Sequence, residues 1–392
     1  MSRDQSSGYG GQIRPDIILE DTTLRDGEQA PGIAFSREKK LRILNALLDL
    51  GVKWIEVGIP AMGGEELSAL EAMLEYTSRA TLIAWNRGLR EDVAFSLGLG
   101  FKAIHIGLPT SQLHLSESLS RNRSWLLTQA TELVKYAKDR GSFVSISAED
   151  FGRTEIAFLQ EYAGAVAEAG ADRLRLSDTV GILSPAGYAE RVAAVREATS
   201  IDTQCHCHND YGLAVANTIA GLQAGARYFH VCINGMGERA GMPDLAQMCM
   251  VLKHLYDRDL GLRTERLTAL SDLVAAMAGH PLPPWQPIVG SNVFAHESGI
   301  HAKGMLKNTS TFEPFAPEEV GGTRRLVIGK HSGRALLVHV LKEASLPIND
   351  AAVAACLDKV RAASIEQGGE LSSPQLCTIY TGLIGSYGTA LS

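Results

Sequence analysis

The stretch DRLRLSDTVGILSPAGYAERVAAVREATSIDTQCHCHND, residues 172–210, holds one complete strand–crossover–strand unit. One strand starts near Asp172 and the next near Asp202, an interval that fits a strand, a crossover helix and two loops. The unit recurs in both directions, with strand starts near Ile17, Lys53, Thr81, Lys102, Phe143, Asp172, Asp202 and Tyr228. SREKKLRILNALLDLG (36–51) illustrates the crossover helices. Ser36 is a candidate N-cap, Leu41, Leu44, Leu47 and Leu48 recur at helical spacing, and Gly51 ends the helix. Eight unbroken βα units predict an α/β fold, a (β/α)8 TIM barrel over residues 16–262. A doubly wound sheet is the alternative, because periodicity does not report closure. Beyond about residue 260 the pattern stops. HPLPPWQPIVG (280–290) is proline-rich and loop-like, FAHESGIHAKGMLKNTSTFEPF is polar, and helical periodicity returns from Ala335 to about Ala363. Residues 263–392 are therefore expected to form a mostly helical C-terminal extension with a lid loop, and residues 1–15 a disordered lead-in.

Composition excludes several classes of function. Lys+Arg number 37 against 44 Asp+Glu, for a net charge of −7, so no basic face for nucleic acid is expected. No apolar run approaches the roughly 18 residues of a membrane span. MSRDQSSGYGGQIRP carries no apolar segment behind Arg3, so it does not read as a signal peptide. Six scattered cysteines do not make a disulfide scaffold in a chain of this length, which points to a reducing cytoplasm.

In a barrel of this kind the active site lies at the C-terminal ends of the strands. Polar residues gather there: DTTLRDGEQAPG after the first strand, with Asp21, Arg25, Asp26, Glu28 and Gln29; His105 on the fourth; Ser145, Ser147, Glu149 and Asp150 on the fifth. Arg175, Asp178 and Thr179 close the sixth, CHCHND the seventh, and NGMGERAG follows the eighth. His206 and His208 are two residues apart on a strand, so both imidazoles face the barrel axis. With a carboxylate such as Asp26 they form a two-histidine, one-carboxylate set suited to Mg²⁺, Mn²⁺, Fe²⁺ or Zn²⁺. The plainer alternative is a pair of buried, hydrogen-bonded histidines. Cys207 points the other way with Cys205, as packing. Arg25 is either a surface partner of Asp26 or a guanidinium aimed at an oxyanion. NGMGERAG is a tight turn or a place where backbone approaches a ligand. His296, Glu297 and His301 lie in a segment too polar to be core.

DTTLRDGEQAPG, CHCHNDYGLAVANT, GMGERAG and HESGIHAKG together resemble the family of α-isopropylmalate, citramalate and homocitrate synthases, over about residues 16–335. The AEDFGRT and RLRLSDTVG runs and the short C-terminus most resemble the nitrogen-fixation type of homocitrate synthase, which serves the nitrogenase iron–molybdenum cofactor. The resemblance implies a metal-dependent barrel that condenses acetyl-CoA with a 2-oxo acid, here 2-oxoglutarate. It implies Asp26, His206 and His208 as metal ligands and Arg25 as the group steadying the enolate and alkoxide oxygens. Thr179 and Glu149 match positions that contact the oxo acid, and His301 matches a histidine delivered from the partner subunit's lid in a homodimer. Gln29, His105, Ser147 and Arg175 complete the expected substrate site, with Arg25, Glu149 and His301 as catalytic residues. Some positions depart from the family. Met242 stands where many relatives carry asparagine, and a thioether is a poor ligand for a hard cation. Ser145 stands where lysine-pathway enzymes have the arginine that meets the distal carboxylate of 2-oxoglutarate, so Arg175 is expected to take that task; a structural ion pair is the alternative. Phe312 replaces a frequent tyrosine. The chain ends soon after the extension, so feedback control through a regulatory domain is not expected.

The rivals are an isopropylmalate or citramalate synthase, an acyl-CoA lyase running the reverse cleavage, and a catalytically dead binding protein. The loop after the eighth strand lacks the cysteine usual in such lyases. Intact Arg25, Asp26, His206 and His208 argue against a dead barrel.

Overall fold

The computed structural model describes residues 12–388. Eight parallel strands close on themselves in sequence order: β1 Ile18–Asp21, β2 Trp54–Gly58, β3 Thr81–Arg87, β4 Ala103–Gly107, β5 Phe143–Glu149, β6 Arg173–Asp178, β7 Asp202–Cys207 and β8 Tyr228–Val231. Closure is set by β1 pairing with β8, Ile18 against Tyr228 through Asp21 against Val231. The crossovers carry helices α1 Arg37–Leu50, α2 Gly64–Met73, α3 Arg90–Leu99, α4 Arg123–Lys138, α5 Ile156–Glu168, α6 Pro185–Ala198 and α7 Ala214–Gln223, and α8 Leu245–Leu255 follows β8. Ser36 caps α1 by accepting the Lys39 N–H, and Gly51 ends it at φ 108°. The fold is the expected TIM barrel, and each strand begins within one residue of its predicted start.

The two faces of the strands divide the work. Outward side chains such as Ile55, Val57, Ile104, Ile106, Leu174 and Leu176 are fully buried against the helices, each burial stabilising the fold by about 1.5–3 kcal/mol. Above an aromatic floor, the inward side chains are mostly polar and charged. At the N-terminal end Trp54, Phe143 and Tyr228 close the floor edge to face, with ring centroids 5.1 and 5.4 Å apart around Trp54. Arg173 lies 4.7 Å from the Tyr228 ring centre and reaches Glu20 at 2.6 Å. One inward step higher along the strands come Glu56, Arg175 and His230, all buried.

The compact units divide after Leu282 rather than at the expected 262/263 boundary. Helix α9, Leu267–Ala278, belongs to the barrel unit: Lys39 Nζ of α1 donates to Met277 O at 2.8 Å, and Asn234 Nδ2 donates to Ser271 O at 3.0 Å. The division falls inside HPLPPWQPIVG. Residues 1–11 of the expected lead-in lie outside the described residues. In its remaining part Ile13 is buried and Arg258 donates to its carbonyl at 2.6 Å, while Gln12 and Pro15 on either side are exposed.

The second unit, Pro283–Ser392, has a core of its own. Helices α10 Gly299–Met305, α11 Arg334–Glu343, α12 Asp350–Gln367 and α13 Ser373–Gly388 bury Leu336, Leu337, Leu341, Val353, Val360 and Tyr380. The short strands β9 Ala295–His296 and β10 Arg325–Leu326 pair in parallel. Among the described residues no helix is long and apolar enough to cross a membrane.

Candidate active site

The site is assembled from the loop after β1 and the ends of β5 and β7. The loop folds as a tight turn on Thr22, whose carbonyl accepts from the N–H groups of Arg25, Asp26 and Gly27 at 2.9–3.1 Å. Lys40 of α1, 1% exposed, clamps the turn from behind. Its Nζ donates to Leu24 O at 3.2 Å and pairs with Glu66 and Glu28. Glu28 is thereby turned away from the barrel mouth. What faces the mouth is Arg25 and Asp26.

Glu56 fixes the Arg25 guanidinium: Arg25 Nε and Nη2 each donate to Glu56 Oε2 at 2.8 Å, and Nη1 lies 3.2 Å from Asp26 Oδ2. Burial alone would lower the Arg25 pKa, but the Glu56 and Asp26 carboxylates override it and hold the group above its ordinary range. Arg25 is a permanent cation with a 9% exposed side chain, not a surface pair. Gln29 Oε1 accepts a further bond from Arg25 Nη1 at 3.2 Å.

On β7, the His206 N–H donates to the Tyr188 hydroxyl, which itself donates to Leu176 O, so α6 anchors the strand from outside. His206 and His208 turn inward as the strand period requires. Their Nε2 atoms lie 3.3 Å apart, and His206 Nε2 lies 3.3 Å from Asp26 Oδ2. Burial pushes both imidazoles below their ordinary pKa, which keeps them neutral and able to ligate. Cys205 and Cys207 are buried on the opposite face, where Gly221 of α7 comes so near that a Cβ there would sit 2.4 Å from Cys205 Sγ. The ligand atoms of Asp26, His206 and His208 all lie within 4.8 Å of one another. Asp26 Oδ1 and His208 Nδ1 are buried without a hydrogen-bond partner among the described residues. Orphaned donors and acceptors around convergent lone pairs fit a divalent cation better than a closed hydrogen-bonded cluster. A second group, Glu20, Glu56 and His230, also has the spacing for a metal. Its carboxylates are spent on Arg173 and Arg175, so it reads as an ion-pair layer.

Glu149 ends β5. Its carboxyl is pushed above its ordinary pKa by burial, against the opposing pull of Arg25 and Arg175, with a hydrogen bond from Ser147 and the Asp26 charge as smaller influences. Ser147 Oγ lies 3.3 Å from Glu149 Oε1 and accepts from the Leu108 N–H at 3.1 Å. Gly107 leaves the room: a Cβ there would meet Glu149 Oε1 at 2.7 Å and Trp85 at 2.5 Å.

The other expected positions fall out differently. Arg175 is not a free cation for substrate. Its Nη2 donates to Glu56 Oε1 at 2.8 Å and Glu20 Oε1 at 3.3 Å, and its Nε to Gln204 Oε1 at 2.8 Å, all fully buried. Strand phase put Arg175 correctly on the inner face, but the carboxylates that neutralise it come from β1 and β2, far away in sequence. His105 lies in the same interior, with Nδ1 2.9 Å from Ser145 Oγ and Nε2 lacking a partner among the described residues. Burial drives its pKa well down. The Thr179 hydroxyl accepts the Asp150 N–H at 2.8 Å, at a φ of 58° for Asp150. The NGMGERAG turn joins these loops: Arg239 Nη2 donates to Thr179 O at 2.6 Å and its Nε to Asp210 at 2.7 Å. Gly241 is required there, since a Cβ would lie 1.9 Å from Gly235 O. Met242 is buried beside this turn. His301 belongs to the second unit, exposed on α10 and stacked on Phe312 with centroids 4.0 Å apart. In that unit His296 is buried against Glu313 and Glu297 accepts the His331 N–H. Glu20, Glu56 and His230 were not singled out in sequence. The signal was there in the period-2 alternation of ILED, WIEV and YFHV.

A closed parallel barrel with this ligand set at its C-terminal mouth defines a class of enzyme. Residues 16–274 match the HMGL-like family, and residues 288–367 match the homocitrate synthase post-HMGL domain-like family. The chain belongs to the HMGL-like family and, within it, to the synthases that condense acetyl-CoA with 2-oxo acids. It is 62% identical to 2-phosphonomethylmalate synthase of Streptomyces rubellomurinus over 368 residues, covering 94% of this chain and 99% of that one. It is 42% identical to homocitrate synthase 1 of a Nostoc species over 363 residues, covering 93% and 96%. The crystal structure of the HMG-CoA lyase from Bacillus subtilis superposes with a TM-score of 0.61 at 20% identity, over 69% of this chain and 97% of that one. At that identity the likeness is one of fold.

Proposed function

We propose that the protein condenses acetyl-CoA with 3-phosphonopyruvate to give 2-phosphonomethylmalate and CoA. The observation that carries this reading is the 62% identity, along nearly the whole of both chains, with a 2-phosphonomethylmalate synthase. Removing the acetate unit from that product leaves 3-phosphonopyruvate as the oxo acid. Homocitrate formation from 2-oxoglutarate is the second reading, favoured by the match of residues 288–367 and by the Nostoc relative. It loses its expected anchor, because Arg175 is already neutralised by Glu56 and Glu20. A role in nitrogenase cofactor synthesis stands or falls with that second reading.

Asp26, His206 and His208 would hold the divalent cation. Bound there, the metal supplies Lewis-acid polarisation of the 2-oxo group. Arg25, immobilised by Glu56, presents fixed positive charge where the alkoxide develops, at no reorganisation cost. Glu149, oriented by Ser147, takes a proton from the acetyl methyl group, and the resulting carbon nucleophile bonds to C2 of the oxo acid. Hydrolysis of the thioester then releases CoA. His301 assists the acetyl-CoA half of the reaction, and the enzyme works as a homodimer; both follow from the family resemblance.

Purified protein supplied with acetyl-CoA and a panel of oxo acids should show kcat/KM for 3-phosphonopyruvate about ten- to a hundredfold or more above that for 2-oxoglutarate or 2-oxoisovalerate. That range is the worth of one or two charge-assisted hydrogen bonds to the phosphonate. A preference for 2-oxoglutarate would establish the homocitrate reading instead.

The base assignment has its own test. Because Glu149 is held above its ordinary pKa, its ionised form is gained only at higher pH, so the acidic limb of kcat/KM should lie above the usual carboxylate range. Glu149→Gln should remove that limb along with most turnover while leaving metal content unchanged. An unaltered pH profile in Glu149→Gln would exclude Glu149 as the base.

A further inference from the structure

Behind the metal ligands, an unbroken buried chain of hydrogen bonds runs from His206 to the barrel interior. His206 Nδ1 lies 2.8 Å from His230 Nδ1, and His230 Nε2 lies 2.7 Å from Glu20 Oε1. Arg173 Nη1 donates to the other oxygen of Glu20 at 2.6 Å, and Arg175 Nη2 reaches Glu20 Oε1 at 3.3 Å. His230 and Glu20 are fully buried.

The protons in this chain are not free to choose. Glu20, gripped by two guanidiniums, is an ionised carboxylate and only accepts. His230 must therefore donate from Nε2. The layer already balances Glu20 and Glu56 against Arg173 and Arg175, so a cationic His230 would add an uncompensated buried charge. A neutral His230 that donates from Nε2 has only a lone pair at Nδ1. The 2.8 Å contact then requires the hydrogen to reside on His206 Nδ1, leaving His206 Nε2 as a bare lone pair. That is the atom facing Asp26 and His208.

We propose that His230 is a positioning residue for the metal ligand His206, accepting its Nδ1–H and, braced by Glu20, holding it in the tautomer and ring orientation that ligation needs. A ligating histidine usually hands its second N–H to a carboxylate, carbonyl or water. Here an imidazole stands in that place, and the carboxylate is one link further back. The inference rests on Asp26, His206 and His208 being the metal ligands, but not on which oxo acid is used.

Three variants separate the two ends of His230. His230→Asn retains an acceptor near the former Nδ1 and loses Glu20; His230→Gln retains a donor towards Glu20 and loses the acceptor; His230→Phe loses both. Metal-free protein is titrated with Co²⁺ alone by calorimetry and visible absorption, and thermal unfolding of each variant is recorded. The expected result is a Co²⁺ Kd within about threefold of wild type for His230→Asn, and weaker by about 10–100-fold for His230→Gln and His230→Phe, with tetrahedral or octahedral d–d bands altered only in the last two. Long-range ¹H–¹⁵N spectra of metal-free, ¹⁵N-histidine-labelled wild type should show His206 protonated at Nδ1. Equal Co²⁺ affinity in all four proteins, losses that simply follow the unfolding temperature, or His206 protonated at Nε2 would overturn the proposal. A wild type that binds no Co²⁺ would contradict the metal site itself, and the proposal with it.

Discussion

His208→Ala should abolish both tight divalent-metal binding and turnover. The substitution removes one of the three convergent side chains proposed as ligands and leaves Asp26 and His206 facing each other across 3.3 Å with no third donor. A metal acting as Lewis acid contributes several kcal/mol to the transition state, so kcat/KM should fall on the order of a thousandfold or more. His206→Ala should do the same. Asp26→Asn is a subtler variant, since it keeps the shape and removes the charge that Asp26 shares with Arg25. Cys207→Ala is the control. Cys207 lies between the two histidines in sequence but is buried on the helix-facing side of β7, so its loss should cost some packing and leave metal content unchanged. Metal analysis of the purified variants, beside CoA-release rates, reads both quantities. Full metal content in His208→Ala would remove it from the ligand set.

Arg175→Met should destabilise the barrel by about 3–5 kcal/mol, the usual cost of removing one partner from a buried ion pair. Glu56 Oε1 and Gln204 Oε1 would each lose a donor, and both side chains are fully buried. For a barrel of this size that corresponds to a fall of roughly 6–20 °C in Tm. The effect should be partly recovered in Arg175→Met/Glu56→Gln, because one charge of each sign is removed together and Arg25 keeps Asp26 as its counter-charge. Thermal unfolding of the single and double variants decides between a structural and a substrate-binding arginine. A normal Tm in Arg175→Met, with a loss of rate confined to oxo acids bearing a second anionic group, would restore the substrate-binding role.

That contrast marks how much the sequence discloses. Strand starts and the helix from Ser36 to Gly51 were legible because the alternation of period 2 and period 3.6 is written locally. The inward aim of His206 and His208 was legible for the same reason. What those residues meet was not. Arg175 has the same strand phase as Arg173, and phase gives the face but not the partner. Its carboxylates, Glu20 and Glu56, lie on β1 and β2 and become neighbours only when the sheet closes through the β1–β8 register. The boundary was misplaced for a related reason. Helix α9 follows the end of the βα repeat and reads as part of an extension, yet bonds from Lys39 and Asn234 tie it to the barrel unit. The chain Glu20–His230–His206 could be seen only in three dimensions, since each residue alone is one polar position in an otherwise ordinary strand.

The proposed role of Asp26, His206 and His208 is to hold the cation that makes the barrel mouth an acetyl-CoA condensation site. Its most direct test is CoA release from acetyl-CoA by one preparation in three states: as purified, stripped of metal by chelator, and reloaded with Mn²⁺ or Co²⁺, each with and without 3-phosphonopyruvate or 2-oxoglutarate. CoA release is expected only when an oxo acid and bound metal are both present, with near-complete loss on stripping and recovery on reloading at about one metal per chain. Undiminished, oxo-acid-dependent CoA release from protein shown to carry no metal would contradict it.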